Sequence, residues 1–190
     1  MVFLKKDFYL KETAEVARQL LGKILVHNTE EGLVSGIIVE TEAYLRENDP
    51  GCHAACGMTK RNEVMFEEGG IAYVYLIYGM YYCFNVVTGQ KGDGEAVLVR
   101  AVEPLEGLEV MARARGRKDP YALCSGPGKL CQAFGIDARH NGKPLMGPDL
   151  GIMEGKKTGR VKVSPRVGLT RGKDKLLRFY FDDCPFVSKS

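Results

Sequence analysis

The chain contains no tryptophan and only three histidines among its 190 residues. It also lacks any run of eighteen apolar residues, the length a membrane-spanning helix requires. Its opening residues, MVFLKKDFYLKETAEV, have neither the apolar core nor the small-residue cleavage site of a signal peptide. These absences predict a soluble protein of the cell interior, with no membrane partner. Six cysteines (Cys52, Cys56, Cys83, Cys124, Cys131 and Cys184) are too few and too unevenly spaced for the disulfide framework of a secreted domain, so buried thiols are expected. The one tight cluster, Cys52-His53-x-x-Cys56, is followed by no second ligand pair at a matching spacing. The expectation is therefore no metal and no cofactor, with a small metal or redox protein as the alternative.

What the chain does have is core-forming material and an uneven charge. Hydrophobic side chains make up 45% of it, enough for a single domain over residues 1–190. The net charge of +3 hides an asymmetry: residues 1–70 hold eight Lys/Arg against twelve Asp/Glu, whereas residues 156–178 hold nine Lys/Arg and one acid, Asp174. Such a density suits a surface that tracks phosphates. A solvated basic face is the plain alternative.

Periodicity supplies the elements. TAEVARQLL places Ala14, Ala17, Leu20 and Leu21 at helical spacing, with Gly22 where a helix closes. KILVH and VSGIIVETEAY are strand-like, and residues 46–70 form a polar, glycine-containing loop without clean periodicity. IAYVYLIY and YCFNVVT, joined by Gly79-Met80-Tyr81, predict a hairpin with a bulky apolar tip. AVLVRAVEP predicts a strand stopped by Pro104, and the helix after it is expected to align Leu105, Leu108, Met111 and Ala112. GPGKLCQAFG adds a short helix, RVKVS and LLRFYF two more strands. Strands without regular βαβ alternation predict an α+β fold around a curved, largely antiparallel sheet.

Three constellations could carry chemistry. Glu40-Thr41-Glu42 puts two carboxylates on one strand face, with Tyr44 after them on that face; solvent-facing glutamates are the alternative. Tyrosines at 73, 75, 78, 81 and 82 offer flat rings for stacking on bases, although Tyr73 and Tyr75 could equally pack in the core. Arg100 lies inside an apolar strand, where a guanidinium requires an anionic partner such as Glu42. His27 and His140 look like ordinary strand and loop residues.

Taken in order, IIVETEAY, YVYLIYGMYYCFNV, LVRAVEPLEG, LCSGPGKLCQAFGI and PRVG resemble the alkyladenine (N-methylpurine, 3-methyladenine) DNA glycosylase family over roughly residues 8–187. The resemblance implies one mixed α+β domain with a β-hairpin that enters the DNA minor groove. It implies a monofunctional enzyme that flips a damaged purine from double-stranded DNA and hydrolyses its glycosidic bond. Glu42 would be the general base, and Arg100 and the carbonyl of Val167 would help to hold the water. Tyr44, His53 and Tyr75 would form the base pocket, and Asn85 would crowd the exocyclic amine of guanine. Tyr78 would fill the gap left in the duplex, accompanied by Met80 and Tyr81. The loop ENDPGCHAACGMTKRN keeps His53 and Arg61-Asn62 but departs from animal members in its cysteines and length. The resemblance further implies a monomeric, cytoplasmic, nucleoid-associated microbial enzyme. A catalytically silent nucleic-acid-binding domain is the competing reading, though it would have no use for Glu42 with Arg100.

Overall fold

The computed structural model describes residues 2–188. Its frame is one eight-stranded antiparallel sheet: β1 (Ile24–Thr29), β2 (Gly32–Tyr44), β3 (Ala72–Ile77), β4 (Tyr81–Thr88), β5 (Glu95–Glu106), β6 (Leu150–Met153), β7 (Val161–Ser164) and β8 (Arg178–Phe181). The order is β3-β4-β5-β2-β1-β6, with β8 added to β2 and β7 to β8. The helices are α1 (Lys6–Tyr9), α2 (Thr13–Leu20), α3 (Leu108–Arg115), α4 (Pro120–Leu123) and α5 (Pro127–Phe134). The fold is the expected α+β arrangement around a curled antiparallel sheet. Among the described residues no helix is long and apolar enough to cross a membrane.

The thirteen-residue β2 organises everything else. One of its edges pairs with β5 from Ser35 to Tyr44, while the other holds β1 as far as Ile37 and then β8 at Glu40–Glu42. Register shifts against β5 fall between Ile38 and Glu40 and between Glu40 and Thr41, and bulges of this kind bend a strand and re-aim its side chains. The two glutamates thus sit where the sheet bends and where β8 takes over from β1. The main apolar core lies between the sheet and helices α2, α3 and α5.

A second, smaller core explains why a long polar loop is ordered. Cys52, Ala54, Met65 and Phe66, carried on 3-10 turns at His53–Cys56 and Glu63–Phe66 and next to them, pack with Tyr73, Val87 and Ala96. Buried Asn62 ties the loop to itself: its side chain donates to the carbonyls of His53 and Gly57 and accepts from the Thr59 N–H. Opposite this loop the β3–β4 hairpin turns through Tyr78 and Gly79, both left-handed (φ 54° and 68°), closed by Met80 N–H to the Ile77 carbonyl. A non-glycine residue in that region costs roughly 1–3 kcal/mol. The tip carries Tyr78, 82% exposed, and Met80, 66% exposed.

Two local expectations fail. β5 runs on through Pro104 to Glu106, because Pro104 pairs with Gly36 on the β2 side and β4 has already left the opposite edge after Leu98. Proline is tolerated where no ladder bond is demanded of it. Leu105 therefore belongs to β5 and is exposed. Helix α3 starts only after Gly107, whose φ of 76° ends the strand and whose Cβ would meet the Leu33 carbonyl oxygen at 2.5 Å. Of the four residues expected on one apolar helix face, only Met111 is buried.

His27 and His140 are also more than ordinary residues. Their Nε2 atoms lie 3.1 Å apart, both rings are buried, His27 Nδ1 is 2.6 Å from the Phe134 carbonyl, and the Asp137 N–H donates to His140 Nδ1. With the His27 Nδ1–H donating to the Phe134 carbonyl, His27 Nε2 accepts from the Nε2–H of His140. Burial lowers the pKa of His27, with the Phe134 carbonyl opposing, His140 adding to the lowering, and Asp149 and Lys143 acting from the rim with opposite signs. The unfolded chain thus binds a proton that the native His27 refuses. Stability is complete above about pH 6.5 and declines as the pH falls below it. Thermal melts should show Tm dropping by a few degrees between pH 7 and pH 5, and His27→Gln should flatten that decline; parallel wild-type and variant profiles would contradict this assignment.

Candidate active site

The site is built on four buried charges. Glu40 and Glu42 from β2 are 0% exposed, and Arg100 of β5 and Arg178 of β8 flank them, each 7% exposed. Glu40 Oε1 accepts from Arg100 Nε (3.1 Å), Arg178 Nε (2.7 Å) and Ser188 Oγ (2.9 Å), and its Oε2 accepts from the Ser188 N–H (2.8 Å). Glu42 Oε1 accepts from the Val167 N–H (2.7 Å) and lies 3.4 Å from Arg100 Nη1. Its Oε2 accepts from the Tyr44 hydroxyl at 2.8 Å. Burial opposes the charge on Arg100, but Glu42 and Glu40 outweigh it and raise its pKa above the ordinary value. Burial and the Glu42 charge likewise raise the pKa of Tyr44, which keeps its phenol proton for donation.

The donors of Glu42 form part of the wall of a cavity of about 330 Å³: Tyr44, Arg100 and Val167 all line it, and the carboxylate lies directly behind them. The opposite wall is aromatic. His53 stands edge-on to Tyr75 with centroids 4.6 Å apart, Tyr75 lies 5.2 Å from Tyr73, and His53 Nδ1 is 3.0 Å from the Tyr73 hydroxyl. Packing against these rings and the Arg61 charge lower the pKa of His53, which favours the neutral imidazole. Burial pushes the Tyr73 phenol up to about 12 and raises Tyr75 as well, so both remain neutral donors. Asn85, on β4, donates its amide to the carbonyls of Tyr73 (3.0 Å) and Cys83 (3.4 Å), which leaves its Oδ1 for the cavity. Tyr78 and Tyr81 reach the lining from the hairpin, opposite Pro127 and Gly128 at the start of α5.

Nine of the ten candidate residues therefore converge: eight line the cavity and Glu42 sits one hydrogen bond behind it. Met80 stands apart at the hairpin tip. Val167 meets Glu42 through its amide N–H, a contact across 125 positions that no local pattern encodes. Tyr73 lines the cavity and holds His53 while also packing in the smaller core. Arg178 escaped notice although it carries the same signal as Arg100, a guanidinium inside an apolar strand. Ser188, Asp49 and the side chain of Arg166 carried no signal at all, since only the fold brings them near residues 40–44. Among the described residues no group of three or more His, Cys, Asp and Glu side chains converges as metal ligands. Cys52 is buried, with its thiol pushed up to about 11 by that burial.

The basic stretch is not one surface. Lys157 pairs with Glu103, Lys162 and Arg160 face Asp182, and Arg166 and Arg178 are buried against Asp49 and Glu40, so these five answer acids of the protein itself. Gly168 and Leu169 line the cavity, and Gly172 lies against Asp49 and the lining residue Gly51, so Arg171 and Lys173 flank a segment packed next to the cavity wall. Both are exposed and form no ion pair among the described residues.

Comparison with known proteins gives a consistent picture. Residues 7–185 match the family described as methylpurine-DNA glycosylase (MPG). A Carboxydothermus hydrogenoformans protein is 47% identical over 99% of this chain and 100% of its own length, and one from Methanocella arvoryzae is 49% identical over 100% and 97%. A Francisella tularensis protein is 44% identical over 94% of each chain. All three bear the name "Putative 3-methyladenine DNA glycosylase". The chain belongs to the methylpurine-DNA glycosylase family, and with it to the hydrolases that act on N-glycosyl bonds in DNA repair.

Removing one partner of a buried ion group leaves the others uncompensated. Arg100→Met should therefore lower stability by about 3–5 kcal/mol in urea unfolding, because Glu40 would keep only Arg178 and Glu42 would lose the one cation it pairs with among the described residues. Arg100→Lys, which keeps the charge, should cost less. A loss for Arg100→Met below about 1 kcal/mol, the scale of an exposed pair, would show that the four charges do not act as a unit.

Proposed function

From that membership we propose a monofunctional glycosylase that flips an alkylated or deaminated purine out of duplex DNA and releases it by attack of water, leaving an abasic site. The substrates are 3-methyladenine, after the relatives' names, together with 7-methylguanine, hypoxanthine and ethenoadenine. The observation that carries this reading is the state of Glu42. A carboxylate offers about four acceptor positions. Val167 takes one on Oε1, beside the Arg100 charge, and Tyr44 takes one on Oε2, which leaves a position on Oε2 for a water. A carboxylate so placed takes the proton of the attacking water and stabilises the positive charge that grows on the sugar as the bond breaks.

The other residues divide the remaining work. Tyr44, Tyr75 and His53 enclose a flat base, and Asn85 crowds the 2-amino group of guanine. With His53 Nδ1 accepting from Tyr73, its Nε2–H is the donor offered to the base edge. N-alkylated purines are cationic and leave readily, and aromatic walls favour them by on the order of 1–2 kcal/mol. Hypoxanthine leaves as a neutral base and requires protonation. Among the described residues no lysine lines the cavity, in keeping with water rather than an amine as the nucleophile and with an uncut strand.

Extrahelical capture costs a few kcal/mol of stacking and pairing. Tyr78, held outward by its left-handed backbone, fills the vacated space, with Met80 and Tyr81 in the minor groove. Arg171 and Lys173 meet the flanking phosphates. One hairpin serves one lesion, so the enzyme acts as a monomer on DNA, in the cytoplasm and about the nucleoid.

Single-turnover release from a duplex with one hypoxanthine, and from methylated DNA, tests the chemistry. Glu42→Gln should bind the lesion yet slow release about 10²–10⁴-fold; wild-type release by that variant would remove Glu42 from the reaction. The split of the basic stretch is tested by salt titration of DNA affinity. Lys173→Ala should reduce the slope of log K against log salt by about 1, and Lys162→Ala should leave it unchanged.

A further inference from the structure

A second ion pair lies behind the cavity wall. Arg166 and Asp49 have side chains 0% exposed and meet through both ends of the guanidinium, Nη1 to Oδ2 at 2.6 Å and Nη2 to Oδ1 at 2.5 Å. Arg166 Nη1 also donates to the Ala43 carbonyl (2.8 Å) and Nη2 to the Gly172 carbonyl (3.3 Å). Asp49 in turn accepts from the N–H groups of Leu45 and Gly51. The guanidinium lies 4.5 Å from the centre of the Tyr44 ring. Arg166 is absent from the cavity lining, so it covers the face of Tyr44 that looks away from the cavity.

Both hydrogen-bond donors that hold Glu42 depend on this one side chain. Tyr44, whose hydroxyl binds Oε2, is backed by the guanidinium. The amide that binds Oε1 belongs to the peptide joining Arg166 to Val167. The arrangement is poor as a source of stability, since desolvation of a buried pair offsets much of its attraction. It also leaves Arg166 Nε buried without a partner. What such a pair supplies is direction: a rigid planar fork reaching the end of β2, the loop at Asp49 and the segment 166–172 at once.

We infer that Arg166, clamped by Asp49, is a positioning residue that sets the geometry of Glu42 through Tyr44 and the Val167 amide without touching the substrate. This inference rests on the glycosylase reading of the site. It assigns the pair an effect on the rate of bond cleavage beyond any effect on folding, because small misplacement of a reacting group is costly in rate.

Two variants separate position from stability. Arg166→Lys keeps the charge beside Asp49 but loses the fork and the stacking plane. The double variant Asp49→Leu/Arg166→Met removes both charges together, so that neither is left buried and uncompensated. Thermal melts establish that each is folded, and single-turnover release of hypoxanthine at saturating enzyme is then compared with the affinity for the same duplex. The expected result is a melt close to that of the wild type, a release rate lower by about ten- to a hundredfold, and a smaller change in affinity. Wild-type release by either folded variant would overturn the inference and leave the pair as scaffolding. A wild type that releases neither hypoxanthine nor a methylated purine would instead sink the glycosylase reading, and the inference with it.

Discussion

The structure turns on the sharing of Arg100 between Glu40 and Glu42. Two carboxylates two residues apart on a fully buried stretch of strand cannot both stay ionised without cations at hand. Arg100 reaches both from β5, and Arg178 on β8 completes the balance. That requirement explains the topology around it. β2 must lose β1 and gain β8 at Glu40–Glu42 so that Arg178 can arrive, and Ser188 must fold back over Glu40 to satisfy its remaining oxygen.

Around this charged centre the molecule is graded from rigid to exposed. Glu42 is held by two hydrogen-bond donors and the Arg100 charge, and those three residues form part of the cavity wall. The aromatic wall opposite belongs half to the sheet and half to the long loop, which is ordered because it buries a small core of its own. The hairpin tip lies at the other extreme, with Tyr78 and Met80 in solvent and a backbone strained to keep them there. Bulky apolar groups in water are unfavourable for an isolated protein and useful for one that enters a stack of bases. Side chains that need precision are placed by the sheet, and those proposed to meet DNA are placed by turns.

Much of this was legible in the residues. Alternation along VSGIIVETEAY places Glu40 and Glu42 on one face, and the demand of a guanidinium inside AVLVRAV for an anion points back to them. Strand propensity around Gly79 marks the hairpin and its apolar tip. Pro104 does not stop β5, because β4 has already left that edge, and Leu105 belongs to the strand because Gly107 delays the helix. The basic stretch is not one surface, since Lys157, Arg160 and Lys162 face the protein's own acids.

By itself, then, the sequence determined the α+β class, the strands that carry the catalytic candidates and, through its ordered motifs, the family. Those properties are local: side-chain alternation, turn chemistry and the misfit of a charge in an apolar run each span a few residues. Tertiary structure alone decided which distant groups complete the site. The Arg166–Asp49 fork, the Ser188 contact with Glu40 and the pairing of His27 with His140 join residues more than a hundred positions apart. No spacing rule encodes such contacts, because they exist only once the sheet has curled and the chain from 154 to 188 has closed over β2.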